Sequence, residues 1–462
     1  MPEIENHDLV VLGSGEAGKY IAWTLAAQGK RAAVIERRYV GGSCPNIACL
    51  PSKNVIYSAK VASLIGRSAE FGITTGDSSI DMTAVRQRKR SMVDGLVAMH
   101  LHKFQASGAE LILGNGTFVG PKTIEVTLQE GGTRLLRGEN VVISTGSRAK
   151  IDDIPGLVEA RPLTHIEALE LDHVPPHLIV LGGGYVGLEF AQAMRRLGSR
   201  VTVVDRNPAL IHREDQDVTD AMAELFRDEG IEVLLGTKLT RVEGNSGQSV
   251  RLHATQGATE IVIEGTHVLA AAGRVPNTAG IGLERAGVEV DPRGHVTVNE
   301  KLQTTATGVW AVGDCAGSPH FTHIAFDDFR VVVANLTGGN RVTTGRLVPF
   351  CLFTDPELAR VGLSEKEAAE RKIACRKAKI PMEAALRSRT ISETRGFMKA
   401  LIAPDDRILG FTAFGAEVGE LLPAVQVAMS AGLPYTSLRD AIFTHPTMAE
   451  GLVALFSAVP KG

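Results

Sequence analysis

Cys44 and Cys49 lie close together in the segment Gly41-Gly42-Ser43-Cys44-Pro45-Asn46-Ile47-Ala48-Cys49-Leu50-Pro51-Ser52-Lys53. Two thiols spaced in this way can cycle between dithiol and disulfide, bind a metal ion, or pack inertly. A tetrahedral zinc site needs two further ligands, and no cluster of Cys or His adjoins the pair. Inert packing suits a plain helix better than a stretch bent by Gly41-Gly42 and Pro45. Redox chemistry is the best reading, and it requires an electron source held against the thiols.

The elements that could hold such a source flank the pair. Leu9-Val10-Val11-Leu12 reads as a buried strand, and Gly13-Ser14-Gly15-Glu16-Ala17-Gly18 turns from it into a helix over Lys19 to Gln28. Gly13 permits the tight turn, Gly15 lets the backbone approach a pyrophosphate, and Gly18 lets helix and strand pack closely. The helix N-terminus then faces the phosphate charge. A second strand ends at Glu36, an acid that can accept hydrogen bonds from a ribose. The pattern returns in His177 to Leu181, the glycines Gly182, Gly184 and Gly187, a helix to Arg196 and a strand Arg200 to Val204 that ends before Asp205. Two copies imply two dinucleotides.

Bulk properties exclude several classes. The chain has 462 residues and a net charge of -3, which offers no electrostatic reason to bind nucleic acid or an anionic membrane. Arg86, Arg88, Lys89 and Arg90 form one basic run, read as a solvated helix face. Five cysteines, only two of them close in sequence, argue against a secreted disulfide framework. No apolar run reaches the ~18 residues needed to span a bilayer. With a strand beginning soon after Met1, no cleavable leader is expected and the location is read as cytoplasmic.

The motifs together resemble the pyridine nucleotide-disulfide oxidoreductases, among them dihydrolipoamide dehydrogenase, glutathione reductase and mercuric reductase. The likeness runs over nearly the whole chain. It takes in both glycine fingerprints, the Cys44 to Lys53 segment, Ser144-Thr145-Gly146, Gly273-Arg274-Val275-Pro276-Asn277, Val312-Gly313-Asp314 and His445-Pro446-Thr447-x-x-Glu450. The resemblance implies an α/β fold with two Rossmann-like domains, for FAD and NAD(P), and a C-terminal α+β dimerisation domain. FAD would be held by Gly13, Gly15, Gly18, Glu36, Gly42, Ser43, Thr145, Gly146 and Asp314. The nicotinamide cofactor would be held by Gly182, Gly184, Tyr185, Gly187, Asp205, Arg206 and Gly273, with NADH preferred through Asp205 and NADPH possible beside Arg206 and Arg213.

The same resemblance assigns catalytic roles. Cys49 would be the flavin-side sulfur and Cys44 the one that attacks substrate. Lys53 and Glu189 would pair beside flavin N5, Tyr185 would gate the flavin, and His445 with Glu450 would act as acid and base on the partner subunit's thiols. No resident metal is expected. A homodimer is implied, with a small disulfide or dithiol as partner molecule.

The domains are expected at 1–150 (FAD, first part), 151–273 (NAD(P)), 274–345 (FAD, return) and 346–462 (interface). Strands are expected at 347–353, 396–402 and 408–413, with a helix over 418–431. Three functions remain open at this point: reduction of a small disulfide, reduction of metal ions or oxidants, and a non-catalytic redox-sensing role. Phe321-Thr322-His323 and Arg395-Gly396-Phe397 look like the mercuric-reductase-like and hypochlorite-response branch, yet the C-terminal cysteine pair of usual mercuric reductases is missing.

Overall fold

The structure, a computed structural model, describes residues 3–461. Its first sheet is built on parallel neighbours: Glu110–Gly120, Ala32–Glu36, Ile4–Leu12, Thr133–Ile143 and Val309–Ala311 lie side by side in that order. The outer half of Glu110–Gly120 turns antiparallel to Thr123–Leu128, which in turn pairs with Thr133–Ile143. Ala32–Glu36 is buried along its whole length, as expected of a parallel strand covered on both faces. Val309–Ala311 follows Thr133–Ile143 in the sheet although more than a hundred residues intervene, so the chain leaves this unit and comes back to it.

The intervening chain forms a second parallel sheet in the order His267–Ala270, His177–Leu181, Arg200–Val204, Glu232–Leu234. A three-stranded antiparallel ribbon, Thr237–Asn245, Ser249–Gln256 and Thr259–Gly265, sits on it. The two glycine-rich turns leave equivalent strands of the two parallel sheets and enter the helices Glu16–Ala27 and Tyr185–Arg196. The first helix starts at Glu16 and not at Lys19, because Gly18 lies inside its first turn.

The C-terminal unit is one antiparallel sheet in the order Phe350–Leu352, Glu357–Gly362, Ile408–Gly415, Phe397–Ile402, Arg376–Pro381. The helix Val418–Ser430 covers it and buries Leu421, Leu422 and Val425 against Phe411 and Ala413. The α/β class with two Rossmann-like units and a C-terminal α+β unit is therefore the observed one. Glu357–Gly362 and Arg376–Pro381 were not expected as strands. The latter is an edge strand in which Lys377 and Lys379 alternate with Ala378 and Ile380 and keep one face charged.

The basic run corrects another expectation. It lies on the helix Met82–Ser107, but Lys89 is fully buried and pairs with Glu170, which also binds Arg90 at 2.6 Å. A buried ammonium needs such a partner. The run is in part an internal clamp rather than a solvated face.

Candidate active site

Cys44 belongs to a five-residue helix, Ser43–Ile47, and Cys49 begins the next, Cys49–Gly66. Ala48, at φ -133° and ψ -102°, breaks the two apart. Asn46 ties the short helix to the glycine turn by donating to the Val40 and Gly42 carbonyls at 2.9 and 2.7 Å. Gly42 cannot be another residue: its φ is +84°, and a Cβ there would lie 2.6 Å from the Gly15 Cα. The thiol segment is thus pressed against the first glycine turn.

Both thiols are partly buried, and their acidities diverge. A hydrogen bond from Cys44 lowers the Cys49 pKa to about 6, against the desolvation that opposes it, with help from the Thr322 hydroxyl and the charge of Lys53. Cys44 is pushed up, first by serving as donor to Cys49 and then by burial. Thr322 lies 3.3 Å from the Cys49 sulfur and opens the helix Thr322–Leu336, whose N-terminus has no side-chain cap. The positive end of that helix favours a thiolate at Cys49. Sequence reading assigned Thr322 no role. Its signals in the sequence are its place in Phe321-Thr322-His323 and a hydroxyl residue at a helix start shortly after Gly313-Asp314.

Lys53, on the same helix as Cys49, meets Glu189 at 2.6 Å, and the Glu189 carboxylate also accepts from the Phe353 backbone N–H at 3.0 Å. Glu189 is buried on the helix Tyr185–Arg196, so its charge is matched rather than spent on the helix dipole. Tyr185, the first residue of that helix, is half-buried, stacked on Phe350 with ring centroids 5.3 Å apart, and bound through its hydroxyl to Glu214 at 3.2 Å.

The two glycine turns share one construction. A Cβ on Gly18 would fall 2.4 Å from the Gly13 carbonyl oxygen, and one on Gly187 would fall 2.0 Å from that of Gly182. Neither following helix has a side-chain cap, so their first N–H groups remain free for an anion. In each unit the acid ending the second strand reaches back to its glycine turn. Glu36 accepts from the Ser14 N–H and hydroxyl at 2.9 and 2.7 Å and from the Arg38 and Tyr39 N–H groups. Asp205 accepts from the Gly183 N–H at 2.6 Å and from Asn207. Four donors fill the acceptor sites of Glu36, so a ribose hydroxyl there would replace the Ser14 hydroxyl, whereas Asp205 keeps a free site.

Asp314 sits at the start of a short turn after Val309–Ala311, bonded to the Ser147 hydroxyl, with Arg274 3.7 Å away. Thr145 has a buried hydroxyl with no partner, beside Gly146, where the backbone is open. Gly184 and Gly273 are likewise uncrowded, and Arg206 is exposed next to Asp205. An unsatisfied buried hydroxyl, free helix N-termini and turns without Cβ atoms fit two dinucleotides, with Ser43 and Gly42 at the junction to the thiols.

His445 and Glu450 form a pair at 2.9 Å, with His445 Nδ1 toward the carboxylate and the ring largely exposed. Among the described residues no hydrogen bond or ion pair joins this pair to the thiols of its own chain.

Comparison with known proteins resolves the family. Residues 7–328 match the pyridine nucleotide-disulphide oxidoreductase family and residues 348–456 its dimerisation domain. The chain belongs to the pyridine nucleotide-disulphide oxidoreductases. It is 34% identical to the probable pyridine nucleotide-disulfide oxidoreductase RclA of Escherichia coli, covering 99% of this chain and 100% of that one. It is 32% identical to a mercuric reductase of Staphylococcus aureus (97% and 81% covered) and to a dihydrolipoamide dehydrogenase of Chaetomium thermophilum (96% and 89%). A solved structure described as the Cu(II) complex of HOCl-induced flavoprotein disulfide reductase RclA superposes with a TM-score of 0.90 at 34% identity, covering 99% and 100% of the two chains. As a pyridine nucleotide-disulphide oxidoreductase, the protein is an enzyme that uses FAD and NAD(P)H. No helix among the described residues is long and apolar enough to cross a membrane.

Proposed function

We propose that this enzyme takes electrons from NADH and delivers them through the Cys44–Cys49 pair to a small disulfide, as a homodimer whose active sites are shared between subunits. The observation that carries the reading is the placement of the thiol pair against the first glycine turn, with the Cys49 sulfur 3.3 Å from the Thr322 hydroxyl at an uncapped helix start, a setting that favours a thiolate at Cys49 over one at Cys44. FAD, when bound, supplies the two-electron relay between nicotinamide and disulfide.

Residues 1–150 and 274–345 would hold the flavin, through the Gly13 to Gly18 turn, Glu36, Gly42, Ser43, Thr145, Gly146 and Asp314. Residues 151–273 would hold the nicotinamide cofactor, where Asp205 would disfavour a 2'-phosphate and Tyr185 would cover the flavin until nicotinamide enters. Residues 346–462 would form the subunit interface. Lys53, fixed by Glu189, would place a cation beside the flavin and favour its reduced, negatively charged form.

The thiol chemistry balances on named atoms. Cys44 loses its proton and attacks one sulfur of the substrate, forming a mixed disulfide and releasing one substrate thiolate. The Cys49 thiolate then attacks the Cys44 sulfur, which closes the Cys44–Cys49 disulfide and releases the second thiolate. A thiol whose pKa is raised needs a base stronger than the Cys49 thiolate it already donates to, and among the described residues of its own chain no histidine or carboxylate is hydrogen-bonded to it. His445 of the partner subunit, oriented through Nδ1 by the partner's Glu450, would take the Cys44 proton at Nε2 and return it to the departing thiolate.

A second reading has its own support. The likeness to a protein solved as a Cu(II) complex, and a soft thiolate available near neutral pH, favour a thiophilic metal ion as an alternative acceptor. The reduced pair, a Cys49 thiolate and a Cys44 thiol, would then reduce two Cu(II) to Cu(I), close its disulfide and release one proton.

Anaerobic turnover with NADH and NADPH in parallel, against lipoamide, other small disulfides, Cu(II) and Hg(II), decides between them. Rapid turnover of one disulfide, lost in Cys44→Ser while flavin reduction persists, supports the first reading. Turnover with metal ions alone overturns it in favour of the second.

A further inference from the structure

Tyr185 is held by more than stacking. Its hydroxyl donates to Glu214 Oε1 at 3.2 Å, and the other Glu214 oxygen lies 3.0 Å from Arg360 Nε. Glu214 is almost entirely buried, its side chain only 3% exposed. Arg360 belongs to the C-terminal sheet, where it also binds Glu367 at 2.7 Å and lies over the Phe350 ring, the ring on which Tyr185 stacks. Phe321 extends the stack on Phe350 at an interplanar angle of 4°.

Glu214 itself cannot follow Tyr185. Three residues before it, the Ile211 N–H is bonded to the Gly183 carbonyl in the second glycine turn. Directly after it, Asp215 accepts from the Glu365 and Lys366 N–H groups and from the buried Lys399 ammonium. Burial raises the Glu214 pKa against the opposing charge of Arg360, and burial also raises that of Tyr185, which therefore remains a neutral donor.

We propose that the Glu214–Arg360 pair is a latch that holds Tyr185 closed, so that the C-terminal unit sets how readily nicotinamide reaches the flavin. Swinging Tyr185 aside breaks its hydroxyl bond and leaves a buried carboxylate oxygen without its donor, a cost the entering cofactor has to meet. Glu214 and Arg360 are positioning residues in this account, which rests on the reading of Tyr185 as the gate.

The test uses the FAD-loaded enzyme and the variants Tyr185→Phe, Glu214→Gln, their double variant, and Tyr185→Ala. Two quantities are measured: quenching of flavin fluorescence by iodide, and the second-order rate constant for anaerobic flavin reduction by NADH. Tyr185→Phe keeps the ring and deletes only the latch bond, so both quantities should rise about three- to tenfold. Glu214→Gln keeps a neutral acceptor and should give a smaller rise in the same direction. The double variant should match Tyr185→Phe alone, since both changes act on one bond. If Tyr185→Phe is silent while Tyr185→Ala exposes the flavin, the latch is refuted and the gate stands. An additive double variant also refutes the latch, because Glu214 would then act elsewhere. Silence of Tyr185→Ala removes the gate reading and the latch with it. Melting temperature and FAD content separate all of these from failed folding.

Discussion

The Cys49 sulfur collects a thiol donor, a hydroxyl, a helix N-terminus and a nearby ammonium, and each pulls its pKa the same way against desolvation. The expected consequence is a thiolate in the reduced enzyme that persists down to a pH of about 6. Thr322→Val removes the hydroxyl and should raise that midpoint by roughly half a unit to one unit, read from thiolate ultraviolet absorbance against pH. A midpoint that does not move would show that the hydroxyl points elsewhere in solution. Lys53→Met should shift it in the same direction by less, because the Lys53 side chain is 32% exposed and its field is screened.

At the scale of elements, one strand-turn-helix device is used twice, and the two copies fail independently. Gly187→Ala would drive a Cβ to 2.0 Å from the Gly182 carbonyl oxygen, which opens the second turn. The expected outcome is an NADH affinity weakened by at least about tenfold with FAD content unchanged, measured by NADH titration of the holoenzyme. Loss of FAD from this variant would mean that the two units do not fold separately. These turns were legible in the sequence because much of the glycine requirement is local: Gly18 and Gly187 would collide with the carbonyls of Gly13 and Gly182 in their own turns, and Gly13 and Gly182 themselves have positive φ. The thiol environment was not legible in the same way. Thr322 and Cys49 are 273 residues apart, and Glu214, in a turn of the second unit, meets Arg360 on a strand of the C-terminal sheet, so nothing in local spacing announces either contact.

Across the whole molecule, ion pairs join the second parallel unit to the C-terminal one. Asp215, Asp217 and Glu365 converge as a metal site would, but the Lys399 ammonium occupies their centre at 2.8, 2.9 and 2.7 Å. Burial alone would lower the Lys399 pKa, and the three carboxylates outweigh it and hold the value above the ordinary one. Lys399→Met should cost about 3 kcal/mol, seen as a lower denaturant midpoint of the holoenzyme, because the buried Asp215 loses its counter-charge, while Asp217 and Glu365 keep Lys379 and Lys377. Sharing of active sites has an equally direct test. Subunits carrying Cys44→Ser and His445→Ala, each inactive alone, should regain about one quarter of wild-type turnover when mixed at random, since half of the dimers then carry one complete site. No recovery on mixing would place both groups in a single subunit's site.

The sequence by itself determined the family, the α/β class, the two glycine turns with their terminal acids and the adjacent thiol pair, because each is written in short segments whose backbone geometry admits few residue types. Only the tertiary structure decided the buried role of Lys89, the saturation of Glu36 by Ser14, Arg38 and Tyr39, the hydroxyl on Cys49 and the anchoring of Tyr185. Each of these depends on which distant side chain fills a low-dielectric space. Hydrogen bonds and charges are strong in such a space, and burial is a property of the packed molecule that no segment carries alone.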